Sequence, residues 1–422
     1  MSTDGLTDLW DKLFSAQPDP PALLVLVTAL LVPKGEDNGG FTPATDVGYV
    51  ARKAPTGPGR VDARMQSEID RTLSRDRASS TRCATFEEQQ YCLGVGWTDQ
   101  APAQVDLELR RPVDARGVVR QSTGDLDGRA WLARRAAQPA AKRLAADRAE
   151  LEAAAASVSK VVLLRHEILG EALPSGFLLR HPEARESLTS AQRAGTTSST
   201  SSASASPSPK ASSSPTSTQS AAASIAPQDK KARDYPRKAT VLDESQVREQ
   251  TRTYWCGPTT MQMIAWGWKD KRRSQQHWAD RLGTTSSGTG IADMVRVVNS
   301  DTGWDRKDHA GPYVSLDISD WSFRQWMLLQ MRHTVDYHAP VVFHPILLKK
   351  YYPYLDDDAS GHFQAGRGYN KRGDKPDLVS YFEPWNQQRF DPSEPYIDRV
   401  QWRLGYRSYR ANEAHFQHNI GV

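Results

Sequence analysis

Cys256 lies in the stretch Gln250-Thr-Arg-Thr-Tyr-Trp-Cys256-Gly-Pro-Thr. Beyond it, Met261, Ile264, Ala265 and Trp268 recur at i, i+3, i+4 and i+7, one face of a helix. The spacing puts Cys256 at the start of that helix. Pro258 falls in the first turn, where a missing N–H costs nothing. A thiol there faces unpaired backbone N–H groups and the positive end of the helix dipole, which favour the thiolate. A thiolate is the attacking group of covalent catalysis. Gln250 is six positions upstream, and its amide, with the Cys256 backbone N–H, suits an oxyanion. The plain alternative is a small buried cysteine packed beside a helix.

Such a nucleophile needs a base, and eight histidines follow Cys256. His362 comes after Gly361 and opens a strand with buried-type residues Phe363 and Ala365, so its imidazole would stand on a rigid element. His277, His309, His333, His338, His344, His415 and His418 lack that setting and read as surface or packing residues. The ring nitrogen turned away from the thiol, expected to be Nδ1, wants an orienting acceptor. Glu383, in Leu-Val-Ser-Tyr-Phe-Glu383-Pro-Trp-Asn386, ends the next strand, with Asn386 as an alternative. In a hairpin the start of one strand lies beside the end of its partner, so His362 and Glu383 can meet.

The combination of Gln, Trp-Cys-Gly-Pro, Gly-His at a strand start and an acid-Pro pair at a strand end resembles the papain-like cysteine peptidases. Within them it is most similar to family thirty-nine, the bacteriocin-processing peptidases that cut after double-glycine leaders, and to its standalone bacterial relatives. The resemblance spans about residues 240–422. It implies a papain-like α+β fold there, helix first and then an antiparallel sheet. It also implies Cys256 as nucleophile, His362 as base, Gln250 as oxyanion donor and Glu383 as orienter. The Gly288-Thr289-Gly290 loop resembles a family loop bordering the cleft. With Trp255 and Gly257 beside the nucleophile, Gly288 and Thr289 complete the candidate binding residues. The family usually carries Asp before that Pro, where this chain has Glu383. No transporter portion accompanies the domain, so leader processing during export is not implied.

The expected activity is hydrolysis of peptide or amide bonds in a peptide or protein substrate. A cell-wall peptide amidase, an acyl transferase and a catalytically silent binding module of the same fold stay open. No cofactor is expected, and no Cys pair or His/Cys spacing near the site suits zinc.

The elements that would position these residues follow from periodicity. Ile291, Met294, Val295 and Val298 mark a second helix, and Phe323, Trp326, Met327 and Gln330 a third, capped by Ser319 or Asp320. Apolar runs at 340–347, 362–369 and 378–382 read as strands, the last two joined by a polar turn at 370–374. Helices followed by such a sheet indicate an α+β domain over 235–422.

Upstream, 194–234 is dominated by Ser, Thr, Ala and Pro and reads as a disordered linker. Residues 1–193 form an N-terminal region without a legible role. It is helical at about 129–170, where Pro139 starts or breaks a helix and Leu144, Leu151 and Val158 recur at seven-residue steps. Residues 33–128 show little periodicity. The 54 basic and 50 acidic side chains are too balanced, and too scattered, for a nucleic-acid partner. Cys83 and Cys92 are disulfide candidates, which leaves Cys256 as the odd thiol. The apolar run at 22–32 is too short to span a bilayer, and its acidic flank is poor for a secretory signal. The Ser/Thr/Pro bias points to an extracellular or wall-associated setting.

Overall fold

The computed structural model describes residues 58–74, 81–111, 123–187, 231–352, 354–355, 358–372, 376–385, 400–403 and 419–422. The run at 22–32, most of the 194–234 segment, Asn386, His415 and His418 lie outside them. The chain divides into two compact units, Met1–Gly40 and Phe41–Val422, and every described residue belongs to the second.

Residues 58–111 contain more regular structure than their pattern announces. Helix α1 (Ala63–Ser74) precedes a meander of β1 (Cys83–Phe86), β2 (Gln89–Cys92) and β3 (Gly96–Trp97), then α2 (Pro102–Arg110). Cys83 stands opposite Cys92 across β1 and β2, and a disulfide joins them. Next come α3 (Gly128–Ala136) and α4 (Ala140–Leu169). Asp127 Oδ1 caps α3 by accepting the Ala130 N–H at 2.8 Å. Pro139 is the N-cap of α4, and Gly170 closes it with φ +80°. Leu151 and Val158 are buried, but Leu144 is 43% exposed. The seven-residue reading therefore fails at its first member, because the opening turns of α4 face water. Its second half is enclosed all round, with Val161 to Leu164 buried in succession.

After residue 231 come β4 (Lys238–Thr240), α5 (Cys256–Gly267), α6 (Gln275–Leu282), α7 (Ile291–Asp301), β5 (Ser315–Asp317) and α8 (Phe323–Met331). They are followed by β6 (Val341–Phe343), β7 (Gln364–Arg372), β8 (Pro376–Phe382), β9 (Val400–Arg403) and β10 (Asn419–Gly421). The three expected helices form, and α6 adds to them. The cap of α8 is Ser322, not Ser319 or Asp320. Gln325 Oε1 accepts the Ser322 N–H at 2.8 Å while Ser322 Oγ accepts the Gln325 N–H, a capping box. Ser319 is spent in the preceding turn, where its N–H donates to Asp317 Oδ1 at 3.0 Å.

The described strands make one sheet in the order β1-β2-β3-β5-β10-β6-β7-β8-β9, with β4 also on β7. The molecule is a mixed α+β structure. The sheet is not purely antiparallel, since β3 and β5 run parallel with Trp97 opposite Leu316. Nor is the sheet confined to 235–422. Val95 O accepts from Ser315 Oγ at 3.0 Å and Asn419 Nδ2 at 2.9 Å. Arg332 Nη1 meets Glu167 Oε2 at 2.6 Å with both side chains fully buried. Removing either partner would strand a charge, at a cost of about 3–5 kcal/mol. The described parts of 1–193 and 235–422 thus share one core.

Candidate active site

Cys256 is the first residue of α5, with Trp255 as its N-cap. The thiol is fully buried and is the free cysteine left by the disulfide. Thr260 Oγ1 donates to Phe363 O at 3.0 Å, which ties the first turn of α5 to the chain entering β7. Burial, above all, pushes the thiol well above its ordinary range. The Phe363 N–H pulls it back, the Asp125 carboxylate pushes further, the Gly257 N–H pulls back and the Glu383 carboxylate pushes again. The helix-start effect expected from the sequence is present and is outweighed by desolvation.

His362 lies two residues before β7, beyond a bridge between Ile346 and Gly361. Its N–H donates to Pro345 O at 2.8 Å. The β7–β8 register sets Ala365 opposite Phe382, so one step further brings the start of β7 to Glu383. His362 Nε2 meets Glu383 Oε1 at 2.6 Å. The nitrogen is the reverse of the one expected: Nε2 takes the acid, while Nδ1 has no hydrogen-bond partner among the described residues. An ionised carboxylate only accepts, so the neutral ring carries its proton on Nε2 and leaves the Nδ1 lone pair open.

Glu383 is held by more than His362. Oε1 also accepts the Trp385 N–H at 2.9 Å, and Oε2 accepts from Gln364 Nε2 at 2.6 Å and Tyr354 OH at 3.0 Å. The extra methylene relative to Asp is thus built into a filled site.

Gln250 is buried, and its N–H donates to Pro384 O at 2.8 Å, next to Glu383. Its Nε2 faces Thr253 O at 2.8 Å, Arg252 O at 2.9 Å and Thr123 O at 3.4 Å. The Cys256 N–H points at the same Thr123 oxygen, also at 3.4 Å. The two expected oxyanion donors therefore converge on one backbone carbonyl, contributed from upstream.

The candidate binding residues wall this place. The Arg252 guanidinium lies 4.5 Å over the Trp255 ring. A Cβ on Gly257 would stand 2.5 Å from Thr289 Oγ1. Gly288 has φ +103°, and a Cβ there would come within 2.4 Å of Gly124 O. The Thr289 N–H donates to Gly124 O at 2.8 Å, and Thr289 O accepts the Leu126 N–H at 2.8 Å. His344, assigned to packing, is buried with Nε2 on Asp125 Oδ2 at 3.0 Å and Nδ1 on Asn419 Oδ1 at 2.8 Å. Thr123, Asp125, Tyr354, Ser360 and Gln364 are members of the site that sequence reasoning does not reach. Among the described residues, no group of three or more His, Cys, Asp or Glu side chains is placed to hold a metal ion.

Residues 242–410 match the model of the Peptidase_C39 like family. No curated protein and no solved structure matches the chain. The matched span contains Cys256, His362 and Glu383 together with Gln250, and the family points to cysteine peptidase chemistry. Over residues 242–410, the chain is therefore similar to the Peptidase_C39 like family.

Proposed function

We propose that the protein is a cysteine peptidase that hydrolyses peptide or amide bonds through an acyl-enzyme, on a papain-like scaffold. Cys256 Sγ attacks the carbonyl carbon as its proton passes to His362 Nδ1. The Cys256 N–H and Gln250 Nε2 hold the oxyanion. His362 then gives the proton to the leaving amine as the C–N bond breaks. Water attacks the thioester with His362 as base, releasing the acid and restoring the thiol.

The observation that carries this reading is the His362 ring. Nε2 is anchored on Glu383, and Nδ1 is open, one residue from the Phe363 N–H that touches the Cys256 thiol. The test is Cys256→Ala, introduced into the parent and into Gly124→Ala, assayed on casein, a peptide panel and purified peptidoglycan. Hydrolysis should fall by about 10³-fold or more. Activity that survives the change refutes the assignment, and turnover of peptidoglycan alone would make the protein a cell-wall amidase. The Cys83–Cys92 disulfide supports an extracellular or wall-associated setting, since such bonds persist where the medium is oxidising.

A further inference from the structure

The space in front of the Cys256 N–H is filled by the chain itself. Thr123, Gly124, Asp125 and Leu126 pass through it, and all four are buried. The Thr123 carbonyl takes the place where the oxyanion would form, facing the Cys256 N–H and Gln250 Nε2. Its N–H donates to Ser360 Oγ at 2.9 Å, and its Oγ1 donates to Gly361 O at 2.7 Å, next to His362. Asp125 pairs with Thr289 in a parallel bridge, through the two Thr289 backbone hydrogen bonds described above. The Asp125 carboxylate is latched by His344. Downstream, Leu126 is anchored in a small apolar cluster with Val105, Leu109 and Trp131.

These contacts are those an extended peptide makes: backbone pairing on a groove wall and a carbonyl in the oxyanion position. Gly124 fits for a specific reason. It has φ +112°, and a Cβ would come within 2.3 Å of the Tyr254 backbone. We propose that residues 123–126 are a built-in inhibitory strap, which fills the peptide groove and keeps the enzyme latent until it is displaced. The proposal rests on the peptidase reading of Cys256. The strap acts in three ways. It excludes substrate, it takes up the Cys256 N–H that would hold the oxyanion, and it sets a carboxylate where it opposes the thiolate.

The test is the rate of Cys256 alkylation by iodoacetamide on the full chain, because it reads access to the thiol independently of turnover. Gly124→Ala should drive the strap out by collision with Tyr254, and Asp125→Ala removes its latch. Each should raise the alkylation rate by about tenfold or more, with hydrolysis of peptides rising in parallel. Folded variants, checked by cooperative melting, that alkylate no faster than the parent overturn the proposal. So does cleavage after Thr123 in the parent, seen by intact mass. A second measurement needs no variant. In the parent chain, protection of Cys256 from alkylation should equal the hydrogen-exchange protection of the Leu126 amide and lie well below that of the α4 core. Protection of Cys256 equal to that of the α4 core overturns it. Fast alkylation of the variants without peptide hydrolysis leaves the strap standing and removes the peptidase reading.

Discussion

Glu383 shows how the chemistry of a single residue is set by its surroundings. With its four donors, His362, Trp385, Gln364 and Tyr354, the carboxylate is saturated, so its length is matched to fixed partners. Glu383→Asp should therefore lower activity, although Asp can accept the same kind of hydrogen bond. The shorter side chain cannot keep His362 Nε2 while reaching both Gln364 and Tyr354. We expect kcat/KM to fall by about 10–100-fold in a strap-released Gly124→Ala background. The unpaired donors should cost about 1–3 kcal/mol each in a melting experiment. Unchanged kcat/KM would show that His362 needs no such clamp. At this scale the sequence is readable where chemistry resides in a side chain, as for Cys256, His362, Glu383 and Gln250. Thr123 is invisible to the same reading because it acts through its carbonyl, and backbone groups carry no sequence signature. Gln364 and Tyr354 become partners only through the β7–β8 register and the loop before it.

Among the described elements, α4 is the longest, and it carries a buried lysine. Lys160 donates from Nζ to Pro312 O at 2.9 Å, and burial lowers its pKa to about 7 against a small opposing pull from Asp305. Its folded value lies below its unfolded value of about 10.4. Between those two values the unfolded chain binds the extra proton. Stability from this group is thus complete above about pH 10.4 and is lost as pH falls through about 7. Cys256 has the opposite sign, since its raised pKa lowers stability as pH climbs past about 8.5, the unfolded thiol value. Comparing the parent with Lys160→Met isolates the lysine. The stability gained by the substitution should be largest below pH 7 and should shrink on going from pH 7 to 10, by up to about 1.4 kcal/mol per pH unit. A gain independent of pH, in urea titrations at pH 7, 8.5 and 10, would refute a neutral buried amine. Helices α5 and α7 were legible because several turns repeat one apolar face, and α4 because it is a long run of strong helix formers. The strands β1 to β3 are two to four residues long. That is too short for an alternating pattern to stand out.

For the molecule as a whole, the Ser/Thr/Pro segment at 194–234 suggested two halves joined by a tether. Composition reports which residues cannot build a core, but not whether the parts on either side pack on each other. That they do follows from pairings more than a hundred positions apart: Trp97 beside Leu316, Glu167 against Arg332, and Thr123 in front of Cys256. No local pattern encodes these. The consequence is testable by cutting the chain without removing any of it. With a site-specific protease sequence placed within 205–215, outside the described residues, cleavage should leave both pieces co-eluting in size-exclusion chromatography. They should separate only in denaturant, because splitting them would expose the shared core and strand the Arg332–Glu167 pair. Alkylation of Cys256 should stay as slow after the cut as before it, since the strap is held by its own contacts and not by the tether. Pieces that elute apart under native conditions would mean that the N-terminal half is an appendage. In that case a chain beginning at residue 235 would melt cooperatively alone, whereas the shared core predicts that it does not.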